Sequence, residues 1–71
     1  MTLETSKELS KIQAPYGREI IIQSITHESG MEMLRVRIKE GSRFTILDID
    51  PETAQKWGEV FFGWVETVRE P

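Results

Sequence analysis

A chain of 71 residues has room for one hydrophobic core at most, and a core that small stabilises only marginally, so self-association is a common remedy. It has no cysteine and one histidine, His27. That excludes disulfides, thiolate metal sites and thiol nucleophiles, and a zinc site at His27 would need several carboxylates converging on it. The net charge of −3 disfavours the phosphate neutralisation that drives non-specific nucleic-acid binding.

The stretch from Met1 to Ser10 has neither a basic start nor an apolar run, so no signal peptide is read there. No apolar run approaches the roughly 20 residues that cross a bilayer. The expectation is a soluble cytoplasmic protein of bacterial type, with no membrane contact.

Residues 1–17 are polar, with Leu3, Leu9, Ile12 and Tyr16 as the larger apolar side chains. Leu9 and Ile12 stand three apart, which allows a short helix, and Pro15-Tyr16-Gly17 punctuates the chain. Residues 1–17 are expected to form an N-terminal tail, flexible or a short helix, with Ile12 and Tyr16 covering a core edge. Residues 18–71 are expected to form a single β-β-β-α domain.

Within that domain three apolar runs, Ile20–Ile25, Met33–Ile38 and Phe44–Ile49, read as strands. In the middle one, Met33-Leu34-Arg35-Val36-Arg37-Ile38, apolar and basic residues alternate as on a half-buried sheet. Three-residue hairpin loops favour glycine at the third position, and Glu28-Ser29-Gly30 and Lys39-Glu40-Gly41 fit. The first loop sets Ile22 opposite Val36 and Ile20 opposite Ile38. The second sets Ile38 opposite Ser42, Val36 opposite Phe44 and Leu34 opposite Ile46. Together they gather Ile20, Ile22, Leu34, Val36, Ile38, Phe44 and Ile46 on one face, and a shift of one residue would scatter that set.

Asp50-Pro51-Glu52-Thr53 is a helix start: an N-cap carboxylate, proline at the first helical position and an acid near the positive end of the dipole. Ala54, Trp57, Phe61, Val65 and Val68 then recur at helical spacing, so a helix to about Arg69 should lie across the apolar face. Gly58 falls at the edge of that face, where it would allow close approach to a strand. Gly63 falls on the polar side and costs about 1 kcal/mol relative to alanine. Val60 and Trp64 widen the apolar arc on one flank and Phe62 on the other. Either the N-terminal segment covers this excess or a flank is a contact surface.

The same registers describe the opposite face of the sheet. Ile25, Met33 and Leu47 form an apolar row beside Met31 and His27. Gln23, Arg35 and Thr45 come next, then Ile21, Arg37 and Arg43. Arg37 directly opposite Arg43 is repulsive unless Glu19, Glu32 or a partner's anion lies near. No Phe, Tyr or Trp is expected there, and single-strand binders need such stacking platforms.

Asp48, Asp50 and Glu52 are three carboxylates in five residues, but without calcium-loop spacing, and capping explains two of them. His27-Glu28 has no nucleophile beside it, and there is no glycine-rich phosphate loop. No catalytic, metal or cofactor site is assigned.

The strings Pro15-Tyr16-Gly17-Arg18-Glu19, His27-Glu28-Ser29-Gly30-Met31, Leu34-Arg35-Val36-Arg37-Ile38, Arg43-Phe44-Thr45-Ile46-Leu47-Asp48 and Ala54…Trp57-Gly58 resemble a group of short uncharacterised bacterial proteins. The likeness covers roughly residues 15 to 64, implies no activity and carries over no functional residue.

The expected fold is α+β, a three-stranded antiparallel meander with one C-terminal helix packed on one face. The expected function is a non-enzymatic interaction module, a homo-oligomer or an accessory subunit, with itself or another protein as partner and no small-molecule ligand. Its contact residues would be Ile25, Met33 and Leu47 on the sheet, or Val60, Phe62 and Trp64 on the helix. The alternative is a binder of nucleic acid or an anionic ligand through Arg35, Arg37 and Arg43.

Overall fold

The structure, a computed structural model, describes residues 4–69. The strands β1 (Glu4–Ala14), β2 (Arg18–His27), β3 (Glu32–Glu40) and β4 (Arg43–Ile49) precede a helix, α1 (Pro51–Arg69). They form one antiparallel sheet in chain order. The α+β class and the C-terminal helix match the sequence pattern, but the sheet has four strands rather than three.

The added strand is the stretch read as a tail or short helix, of which residues 1–3 lie outside the described residues. Only Leu9 and Ile12 in β1 are large and apolar, so the strand comes from backbone pairing with β2 and not from a hydrophobic pattern of its own. Its charges, among them Lys7, Glu8 and Lys11, suit an edge strand, where they discourage pairing with another sheet. A register shift between Glu8 and Ser10 leaves Leu9 without a partner, the geometry of a β-bulge. Pro15-Tyr16-Gly17, noted in the sequence as punctuation, is the β1–β2 reversal. Tyr16 (φ 66°) and Gly17 (φ 71°) both take positive φ, the pair that a type I′ turn uses.

The β2–β3 hairpin has the expected register, with Ile20 opposite Ile38 and Ile22 opposite Val36. The His27 amide donates to the Met31 carbonyl and the Gly30 amide to the His27 carbonyl, both at 2.9 Å, and Gly30 supplies the left-handed residue at φ 92°.

The β3–β4 hairpin differs from the sequence reading. Glu40 pairs with Arg43, so the loop is Gly41-Ser42, with Gly41 at φ 60°, as in a two-residue type II′ turn. Ile38 therefore faces Thr45, Val36 faces Leu47 and Leu34 faces Ile49. The displacement from the expected register is odd, so every β4 side chain changes face. Leu47 and Ile49 join the helix side, and Phe44 and Ile46 leave it.

The physical reason is electrostatic. A three-residue loop would set Arg43 against Arg37 and Thr45 against Arg35. The observed register sets Asp48 against Arg35 and Ile46 against Arg37, and places Arg43 beside Glu40. Both registers offer the helix two large apolar side chains from β4, so charge and the glycine turn decide.

The helix starts as its sequence predicts. The Thr53 amide donates to Asp50 Oδ2 at 3.3 Å and the Ala54 amide to the Asp50 carbonyl at 2.9 Å. Hydrogen bonding to Thr53 foremost, with the backbone amides of Asp50 and Glu52 behind it, holds the Asp50 carboxyl below its ordinary range.

α1 meets the sheet mainly at β3 and none of its described residues is buried. The Cα trace spans 52 × 30 × 15 Å. Among the described residues the only fully buried apolar side chain is Ile25. The chain exposes 5956 Å², whereas a folded monomer of its 8.2 kDa exposes about 4,500 Å² by the usual area-to-mass scaling. The helix and sheet do not close a core between them.

Candidate interaction surfaces

On the helix side, sheet and helix form the two walls of an apolar cleft of about 540 Å³. Ile20, Ile22, Val36 and Ile38 line one wall, and Ala54, Trp57, Gly58 and Phe61 line the other. β1 contributes Ile12, which remains 45% exposed, so the described part of the N-terminal segment borders the cleft without covering it. The rings of Trp57 and Phe61 lie 6.0 Å apart, tilted by 39°. An added Cβ on Gly58 would meet nothing within 4 Å. This corrects the expectation of close approach to a strand: the glycine faces open cleft.

Past the cleft the helix is bare. Val60, Phe62 and Trp64 are 68%, 69% and 64% exposed, and Val68 joins them at 58%, while Phe61 on the cleft wall is itself 63% exposed. Leu47, expected in the row with Ile25 and Met33, lies on this side of the sheet and is 40% exposed. Arg43 also belongs here, beside Glu40.

On the other face a charged cluster ties the four strands together. Arg35 donates from Nε to Asp48 Oδ1 at 2.7 Å and from Nη2 to Asp48 Oδ2 at 2.9 Å. Such a bidentate pair adds direction to charge. Arg35 Nη1 reaches Glu4 Oε1 at 3.3 Å, and Glu4 Oε2 lies 3.7 Å from His27 Nδ1. The hydrogen bonds from Arg35 hold the Asp48 carboxyl below its usual range, and Asp48 in turn raises the guanidinium's already high pKa. Both groups stay ionised.

This cluster explains why Ile25 is sealed. Ile25 pairs with Ser6 and Met33, and that row runs between the Glu4–His27 pair and the Gln23–Arg35 pair. The Arg35–Glu4 ion pair therefore crosses over it as a roof. Fully buried, Ile25 offers no contact surface, which corrects its selection as a partner-binding residue. Met33 stays on this face, half-buried.

The three arginines of the anion-binding reading are not gathered. Arg35 is held by Asp48 and Glu4, Arg37 faces Ile46, and Arg43 lies on the opposite face. Phe44 occupies the face expected to lack aromatics, with Lys39 Nζ 5.8 Å from its ring centroid. The cluster was missed because it needs Glu4 in a strand and Asp48 opposite Arg35. Glycine at the first position of a two-residue loop was the available signal for the second of these.

A family of unknown function matches residues 3–67. The chain belongs to the DUF6967 family. The match takes in β1 and nearly all of α1, beyond the residues 15–64 that carried the resemblance. No curated protein and no solved structure matches this DUF6967 chain. Among the described residues, it has no group of three or more His, Asp or Glu side chains placed to hold a metal ion, and no helix long and apolar enough to cross a membrane.

Proposed function

We propose that this DUF6967 protein is a non-enzymatic interaction module whose hydrophobic core is completed by another polypeptide seated in the cleft between α1 and the sheet. The observation that carries this reading is the near absence of a closed core. Ile25 is sealed, and it lies on the face away from the helix, while Trp57, Phe61 and Trp64 stand 37%, 63% and 64% exposed. Apolar patches of this kind on a small soluble chain mark an interface.

Binding of nucleic acid or an anionic ligand has less support, because Arg35 is internally neutralised and Arg43 is on the other side of the sheet.

The test joins hydrodynamics to stability. Sedimentation velocity is measured from 1 to 500 µM, with urea unfolding and binding of an apolar-surface dye on the same samples. The reading expects either an oligomer whose unfolding midpoint rises with concentration or a weakly stable monomer that binds the dye. A monomer at every concentration that unfolds cooperatively, with the stability of an ordinary domain and no dye binding, would refute it.

A further inference from the structure

We infer that the occupant of the cleft is a second copy of this chain, each copy inserting the bare half of its helix into the other's cleft about a two-fold axis. This rests on the interaction-module reading and names its partner.

The first support is area. The surface in excess of a compact monomer is about 1,400 Å² per chain, or about 2,800 Å² for a pair. Obligate homodimers bury about 2,000–5,000 Å². A pair thus removes the excess within the range of ordinary dimers.

The second support is shape. The chain carries both halves of a contact: a cleft of about 540 Å³, and the exposed side chains Val60, Phe62 and Trp64 on the same helix. Two-fold association needs such a self-complementary surface, because each patch meets its own image. Gly58 fits this arrangement. A glycine within a helix is unfavourable, and here no neighbour in its own chain requires it. Closely approaching side chains of a second helix would.

The third support is charge. Glu52, Glu59 and Glu66 recur at seven-residue intervals along α1, which places them on one edge of the helix. At the far end of the sheet Arg18 is paired with Glu40 at 2.7 Å. Arg43, on the helix side, lies opposite Glu40 but makes no ion pair within 4 Å among the described residues, where Glu40 is engaged by Arg18. An acidic helix edge and a basic hairpin in the same chain complement each other across a two-fold axis.

The test uses the full chain, Gly58→Leu, Trp64→Glu and Met33→Glu, with sedimentation equilibrium as the readout and far-ultraviolet circular dichroism and urea unfolding as checks on folding. Gly58→Leu is the central variant: its Cβ meets nothing of its own chain within 4 Å, leucine favours the helix, and the rest of its side chain occupies the cleft. The wild type is expected to be a dimer. Gly58→Leu and Trp64→Glu are expected to weaken it roughly 30-fold or more, as loss of an interface hot spot does, with Gly58→Leu still folded and Met33→Glu still dimeric. A dimer unchanged by Gly58→Leu and Trp64→Glu but split by Met33→Glu overturns the inference and leaves the module reading standing. So does a wild type that is monomeric, weakly stable and dye-binding. A monomer that is cooperative, ordinarily stable and dye-free overturns both.

Discussion

Replacing Ile25 by alanine tests the claim that one apolar side chain is sealed beneath an ion pair. Ile25 is 0% exposed, and the substitution removes three buried carbons beyond Cβ. At about 0.8 kcal/mol per buried methylene, the transfer loss alone is about 2.4 kcal/mol. A cavity loss adds to it, because the backbone ladder to Ser6 and Met33 and the roof from Arg35 to Glu4 resist collapse. The expected total is about 3 kcal/mol, within the 2–5 kcal/mol typical of such truncations. Against a stability of roughly 4–10 kcal/mol for a chain this long, that is a large fraction.

The assay is urea unfolding followed by circular dichroism, at one protein concentration for all variants, because association raises apparent stability. The midpoint should fall with an unchanged slope. Ile46→Ala is the control: Ile46 lies on the same face but is 55% exposed, so its loss should stay below about 1 kcal/mol. An Ile25→Ala variant no less stable than Ile46→Ala would refute the roofed site.

Two further substitutions test the β3–β4 register. Gly41→Ala should cost about 1–2 kcal/mol, entirely through the backbone at φ 60°, since the added Cβ meets nothing within 4 Å; an undiminished urea midpoint would count against the type II′ turn and the faces assigned to β4. Asp48 gives a pH test. Its folded carboxyl titrates below the ordinary value of 3.8, so its contribution is complete above that value and is lost as pH falls through the lower, folded value. Wild-type stability should therefore drop below about pH 4, and Asp48→Asn should remove part of that drop, leaving the parts due to Asp50 and Glu19, whose carboxyls are also held low. Identical acid limbs in urea midpoints measured from pH 2 to 7 would show that the Arg35 pair contributes nothing.

Much of the fold was legible because its causes are local. Gly30 demands a left-handed turn, the alternation from Met33 to Ile38 demands a two-sided strand, and Asp50-Pro51 demands a helix start. The structure has all three, with the β2–β3 register that the glycine loop implies. β1 was not legible. It is a polar edge strand whose hydrogen bonds are supplied by β2, and no periodicity in its own residues announces it. The register of β4 was misread because apolar residues occupy both of its faces, so pattern alone cannot orient it. Only the pairing of Asp48 with Arg35 and the avoidance of Arg43 opposite Arg37 do so.

The surfaces divide the same way. The wide apolar arc of α1 follows from helical spacing, and Val60, Phe62 and Trp64 are bare. The amino acids by themselves determined β2, β3, β4 and α1, the glycine reversals between the strands of that set, and the excess of apolar surface. Tertiary structure decided which side that surface faces, that Ile25 is sealed away from the helix, and that sheet and helix stand apart as an open cleft. Turns and periodicity act over a few residues, whereas face, seal and cleft depend on side chains brought together from distant parts of the chain.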